Sequence, residues 1–323
     1  MEKRKVIIDC DPGIDDSIAI MMAAMSEELD ILGITVCSGN VPAVQGAKNA
    51  IKALAKCKRT DIPVYLGEEI PLERELVTAQ DTHGDDGIGD SGYPDIEGVE
   101  YRTDAVRFIT ETLRNEENVS IIALAPLTNI AKAIMKDREA FDRIDEFITM
   151  GGAFKSNGNC SPVAEFNYWV DPHAADFVYK NMPVTIHMVG LDVTREIVLT
   201  PNRLELMKRL GNDEMYRYIR DITAFYTEFH WNQEGIIGCV INDPLAIGYF
   251  IDRSLCNGEK YFVEIETDGK AMGMSIVDEA DFYKKSKNAI VLTDVDSRKT
   301  MDMIMNKLFP GRTELVAKLG GNI

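Results

Sequence analysis

Asp9, Asp11, Asp15 and Asp16 put four carboxylates into eight positions of the stretch K-V-I-I-D-C-D-P-G-I-D-D. One such aspartate would be an ordinary cap or turn residue. Four together repel one another unless protons or a cation neutralise them, so the cluster points to a bound metal ion. Histidine is absent from the stretch and Cys10 is its only sulfur. An all-oxygen donor set suits calcium or magnesium rather than zinc. Calcium takes about six to eight oxygens, more than this turn supplies, so other ligands must come from elsewhere in the chain.

The elements that would position these groups follow from the pattern around them. Val6, Ile7 and Ile8 form a short apolar run that reads as a buried parallel strand, with Asp9 and Asp11 at its carboxyl end. Pro12-Gly13 breaks the strand, and an apolar helical pattern over 17–25 puts Asp15 and Asp16 near a helix's first turn, where the dipole favours negative charge. Ligands of an open α/β sheet bind beyond the carboxyl ends of the strands, which is where this turn lies.

Strand and helix patterns alternate through the rest of the chain: strands over 31–37, 62–67, 119–124, 147–150, 184–189, 261–266 and 289–292, helices over 44–57, 104–115, 130–135, 172–180 and 297–308. Alternation of this kind predicts one α/β domain over 1–323, with a mostly parallel open sheet, a Rossmann-like core and helices on both faces. The strand over 62–67 carries Pro63 and reads as an edge strand. Thr200-Pro201 with Gly211, and Asp243-Pro244, mark further helices, the second with Asp243 as N-cap and Pro244 at the first helical position.

Between these elements lie several polar candidates. Asn40 follows a strand and could face the crevice. Residues 70–100 lack periodicity and hold T-H-G-D-D-G-I-G, which reads as a functional loop or lid, with His83 either meeting a substrate or exposed. Gly151-Gly152 reads as a turn that lets backbone approach a ligand. Asn159, Glu165 and Asn167 are hydroxyl-binding by type and suit a sugar. The helix over 214–233 carries Phe225, Tyr226, Phe229, His230 and Trp231, more rings than one helical face can bury, so some must point elsewhere or stack on a substrate ring.

Composition narrows the function. The net charge of −18 and pI near 4.7 argue against nucleic acid and anionic membranes, which need clustered Lys and Arg. Six cysteines without a C-x-x-C pair, and no signal-peptide pattern before the first strand, lead us to expect a reduced cytoplasmic setting. No apolar run approaches the roughly 18 residues of a membrane helix.

With these residues assembled, the chain resembles the nucleoside hydrolases of the inosine-uridine-preferring kind over nearly its whole length. The opening D-C-D-P-G-I-D-D is followed in family order by P-L-T-N-I-A, M-G-G, A-E-F-N, D-P-H-A-A and N-D-P. The resemblance implies hydrolysis of the N-glycosidic bond of ribonucleosides. Calcium would be held by Asp11, Asp16, Asp243 and the carbonyl of Leu124, and a calcium-bound water, its proton taken by Asp11, would attack C1′ through an oxocarbenium-like transition state. Asp15 and Asn167 would bind the ribose 2′- and 3′-hydroxyls and Asn159 and Glu165 the 5′-hydroxyl, with Asn40, Met150 and Phe166 lining the pocket. A homo-oligomer, dimer or tetramer, is also implied.

One position departs from the pattern. In a large branch of the family the residue before the D-P aspartate is a histidine thought to protonate the leaving base, and here it is Asn242. An amide is no general acid, though it can hydrogen-bond the base. The proton would come from His83, His230, a water or nothing, or stacking on Tyr226, His230 and Trp231 would let solvent protonate a purine. The residues leave the base preference open. Two rival functions remain to be weighed: a non-catalytic nucleoside- or ribose-binding protein, and a magnesium-dependent phosphatase built on Asp9 and Asp11.

Overall fold

Val6, Ile7 and Ile8 are fully buried, and they alternate between two apolar clusters, Val6 and Ile8 in one and Ile7 in the other. A strand covered on both faces requires this, because successive side chains point to opposite sides of a sheet. The computed structural model, which describes residues 3–320, builds outward from this strand.

Twelve strands follow in chain order: β1 (Arg4–Cys10), β2 (Leu29–Val36), β3 (Val64–Leu66), β4 (Arg102–Thr103), β5 (Val119–Ala123), β6 (Phe147–Met150), β7 (Ile186–Val189), β8 (Val198–Leu199), β9 (Cys239–Val240), β10 (Cys256–Ile265), β11 (Ser275–Asp278) and β12 (Ala289–Val295). Ten form one sheet in the order β11-β10-β12-β7-β6-β5-β1-β2-β3-β4, and β8 and β9 form a separate ribbon. Only β10 runs against the other nine. The mostly parallel α/β sheet expected from the alternation of elements is therefore present, with an antiparallel hairpin added at one end.

The strand order reverses beside β1, which pairs with β2 on one side and β5 on the other. Chains leaving the carboxyl ends of β1 and β5 diverge there and open a crevice. Asp9 ends within β1, Asp11 lies just past it, Leu124 just past β5, and Met150 is the last residue of β6.

Several boundaries differ from the sequence reading. The first helix begins at Ile14, earlier than its apolar pattern, because Asp16 accepts the Gly13 N–H (3.0 Å) and tightens the turn. In the helix Asp243–Ile251 the N-cap is Asn242, so Asp243 is the first helical residue rather than the cap. β3 is not the edge: the two-residue β4 pairs outside it, too short to show any period.

The segment 70–100 is built rather than loose. It contains the one-turn helix Gln80–His83, buries Ile88 completely, and is tied to the body by Asn49 Nδ2 on the Asp86 carbonyl (2.8 Å) and by Ala79 N–H on the Asn40 carbonyl (3.0 Å). It is a wall of the crevice. No helix of the described residues is long and apolar enough to cross a membrane.

Phe147, on an interior strand and fully buried in the second apolar cluster, tests this packing. Phe147→Ala should destabilise the protein by about 3–5 kcal/mol through lost transfer energy and the cavity left behind. Urea unfolding should show a lower midpoint with an unchanged slope.

Candidate active site

The acidic turn is held together by backbone and amide donors, with no basic side chain supplying the order. Asp9 accepts Thr35 Oγ1 (2.5 Å) and Asn129 Nδ2 (2.8 Å) on one oxygen, and its other oxygen has no partner. Asn129 also receives the Glu68 N–H (2.9 Å), so it braces two loops against β1. Sequence reasoning passed over Asn129; the signal was a fully buried amide opening an apolar helix.

Asn40 clamps the next two carboxylates. Its backbone N–H donates to Asp11 Oδ2 (2.7 Å) and its side-chain amide to Asp16 Oδ2 (2.9 Å). Gly39 permits this approach, since a Cβ there would sit 2.0 Å from Asp11 Oδ2. Asp11 Oδ1 is left buried with no partner. Asp15 Oδ2 receives both the backbone N–H and the side-chain amide of Asn242, each at 3.1 Å.

Oxygens of Asp15, Asp16 and Asp243 lie within 4.8 Å of one another. Of the groups expected to hold a metal, Asp16 and Asp243 stand in this tightest set, and Asp15 is the third member. Asp11 is not a member of that set, though it keeps one buried oxygen without a partner. The charges acting most strongly on Asp11 and Asp243 are all other carboxylates. Buried carboxyl oxygens, an unpartnered acceptor and no countering cation among the nearest charges fit a hard divalent ion.

Burial raises the pKa values of Asp9, Asp11, Asp16, Glu165 and Asp243. Asp9 is pushed up to about 7 by burial alone, against the help of its two hydrogen bonds. Asp16 is pushed up to about 7 by burial and then by Asp15. Asp11 and Asp243 are raised well above the usual carboxylate range by burial and then by Asp16. Glu165 reaches about 7 through burial, although three backbone N–H groups donate to it.

Those donors explain the A-E-F-N motif. Glu165 caps the short helix Phe166–Val170, accepting Asn167 N–H (2.8 Å), Tyr168 N–H (3.2 Å) and Gly152 N–H (2.9 Å). The capped turn aims Asn167, whose amide donates to the carbonyls of Leu124 (2.8 Å) and Met150 (3.1 Å). Gly151 has a different reason from the one expected: a Cβ there would strike the Tyr168 ring at 2.3 Å, so it serves internal packing.

These residues line one cleft at the carboxyl ends of the strands. Asp15, Asn40, Leu124, Met150, Asn159, Glu165, Phe166, Asn167 and Asp243 line it, and His83, Tyr226, His230 and Asn242 stand in the same wall. Asp11 and Asp16 lie beneath. Trp231 does not join them: it lies on the outer side of the helix Asp213–Glu234, 54 % exposed, because a 100° step from His230 turns it away from the cleft. Phe229, one of the rings of that stretch, does line it, and so does Arg195, which the sequence did not single out. Arg195 pins the loop carrying Asn159, donating to Ser156 Oγ (2.7 Å) and to the carbonyls of Asn157 and Gly158 (both 2.9 Å).

Comparison with known proteins agrees with this geometry. The family model described as inosine-uridine preferring nucleoside hydrolase matches residues 6–302. The chain is 34% identical over 306 residues to the pyrimidine-specific ribonucleoside hydrolase RihA of Escherichia coli, covering 94% of this chain and 97% of that one. Among solved structures it is similar to a purine-preferring ribonucleoside hydrolase from Gardnerella vaginalis (TM-score 0.89, 29% identity, 97% and 100% of the two chains). A plant nucleoside hydrolase is similar to the same degree (TM-score 0.88, 30% identity, 96% and 100%).

The raised carboxyl groups carry a stability signature. Carboxylates ordinarily titrate near pH 4, and Asp9, Asp16 and Glu165 do so at about 7 in the fold. Between those values the native state holds protons that the unfolded chain has released, so stability falls as pH rises through the window. Chelator-treated protein should melt at higher temperature at pH 5.5 than at pH 8, and added calcium should raise the melting temperature more at pH 8. Differential scanning calorimetry at the two pH values checks this.

Proposed function

The chain belongs to the inosine-uridine preferring nucleoside hydrolase family and hydrolyses ribonucleosides to free base and ribose; from that premise we propose that its acidic cluster holds calcium and that Asp11 is the general base. The observation that carries this reading is the set of buried carboxylates at the switch point of the sheet, whose nearest charges are one another. Asp11, Asp16, Asp243 and the Leu124 carbonyl would be the ligands, with Asp15 beside them. A crowded set of carboxylates and a carbonyl suits calcium's flexible coordination better than the strict octahedron of magnesium. When bound, the ion supplies a Lewis-acid centre that acidifies the attacking water and orients ribose hydroxyls.

The chain's own groups then account for the rest. Asp11 takes the proton of the attacking water on Oδ1, the oxygen with no protein donor. As the C1′–N bond lengthens, the ribose acquires positive charge, and the buried carboxylates stabilise it without reorganising. Asp15, oriented by both donors of Asn242, and Asn167 hold the 2′- and 3′-hydroxyls. Glu165 and Asn159 hold the 5′-hydroxyl, and Asn40, Met150 and Phe166 close the sugar end. A binding protein would have no use for the unpartnered oxygen of Asp11.

Pyrimidine ribonucleosides are the preferred substrates in this reading, supported by the 34% identity to the pyrimidine-specific enzyme across nearly the whole chain. The purine alternative has its own support: the rings of Tyr226 and Phe229 lie stacked in the cleft wall, 6.5 Å apart with planes at 25°, and the purine-preferring relative is close in structure. The six free cysteines fit a reduced cytoplasmic setting, and a homo-oligomer belongs to the same proposal.

Asp11→Asn should lower kcat by about 10²–10⁴-fold, the usual worth of a general base, while the melting temperature holds. Near-normal turnover would remove Asp11 from that role. Dialysis against a chelator should abolish both ribose release and ribose binding, and calcium should restore both. Comparing kcat/KM for uridine, cytidine, inosine, adenosine and guanosine decides the base preference: uridine and cytidine should lead, and a lead for the three purines would favour the stacking alternative.

A further inference from the structure

We infer that His230 is the general acid that protonates the departing base, and that neither His83 nor Asn242 can be; the inference rests on the hydrolase reading above. The base leaves with the electron pair of the C1′–N bond, and a proton delivered to it lowers the cost. Four groups of the cleft wall outside the acidic cluster could meet a base: His83, Tyr226, His230 and Asn242. Their hydrogen bonds separate them.

Asn242 has no acidic proton, and its amide already donates to Asp15. Tyr226 is a phenol whose pKa burial raises well above its usual value. His83 is committed to one tautomer. Its Nδ1 accepts the backbone N–H of Ile14 (3.1 Å), so that nitrogen carries no proton and the ring's one proton is on Nε2. To become an acid, His83 would need a second proton on Nδ1, which would set two donors against each other at a site only 4 % exposed. It can donate a hydrogen bond to the base but cannot give up a proton.

His230 has the opposite arrangement. Its Nδ1 lies 2.8 Å from the carbonyl of Tyr226, one turn earlier in the same helix. A carbonyl only accepts, so Nδ1 keeps its hydrogen whatever the ring's charge. Nε2 has no hydrogen-bond partner among the described residues, and the residue lines the cleft. The imidazolium therefore satisfies both nitrogens, one on the carbonyl and one toward the base. Tyr226 and Phe229 hold the ring edge-on at 4.4 and 5.5 Å. The titratable groups sharing the cleft are His83, Asp15, Asp243, Glu165, Glu234, Tyr226 and Cys160, with Arg195 occupied by its loop carbonyls.

The step balances. The C1′–N pair goes to the base, the His230 Nε2 proton goes to the base, the water oxygen bonds C1′, and the water proton goes to Asp11. Exchange with solvent then returns the proton from Asp11 to His230.

An activated substrate tests the assignment, because p-nitrophenyl β-D-riboside leaves as a stable phenolate that needs no proton. In His230→Gln, turnover of uridine should fall about 10²–10⁴-fold while release of nitrophenolate changes little. His230→Phe, which keeps a ring against Tyr226 and Phe229, should show the same split. His83→Gln, which removes at most a hydrogen bond to the base, should retain more uridine turnover than either and should separate the two substrates far less than the His230 variants do. Normal uridine turnover in both His230 variants overturns the inference. So does an equal loss of both substrates in a variant that still binds ribose by calorimetry, or a split shown by His83→Gln instead. Should the parent enzyme release neither ribose nor nitrophenolate, the hydrolase reading itself fails.

Discussion

Six acidic side chains, Asp9, Asp11, Asp15, Asp16, Glu165 and Asp243, share one end of the sheet, each less than 5 % exposed. A charged carboxylate taken out of water costs several kcal/mol unless it is paired, and here the nearest charges repel. Amide donors from Asn40, Asn129, Asn242 and the turn backbone offset part of that cost. The remainder is left for protons or a cation, and it is what makes this end of the fold a site. Negative charge held rigidly where a ribosyl cation forms is also the arrangement that favours its formation. In the proposed reading the same repulsion serves both metal capture and catalysis.

The parts of this molecule legible in its sequence were those governed by short-range rules. An apolar run ending in Asp-x-Asp and Pro-Gly marked β1 and its turn, and Thr200-Pro201 marked a helix start that the structure keeps. Each involves residues within a few positions of one another. The two-residue strands β4, β8 and β9 have no period to read. The wall formed by 70–100 is ordered by Asn49 and Asn40, residues far away in the chain, so its local composition looked like that of a loose loop.

At the site, residue types showed which groups were polar but not how their bonds were shared. Asn242 looked like a lost acid and turned out to orient Asp15. Trp231 belonged to a ring-rich stretch, but only the helix's rotation decides which rings face inward, and one residue's step was enough to send it to solvent. The two histidines could not be told apart by position. Their roles differ because one ring nitrogen meets an N–H from a turn 69 residues earlier in the chain, while the other meets a carbonyl one turn back in its own helix.

Asn40 joins the two ends of the cleft. Its N–H and amide hold Asp11 and Asp16, while its carbonyl receives Ala79 N–H at the start of the turn that carries His83. One residue therefore ties the buried carboxylates to the segment that carries His83. A substitution at Asn40 would remove bonds on both sides of the cleft at once, so its effect could not be confined to either wall.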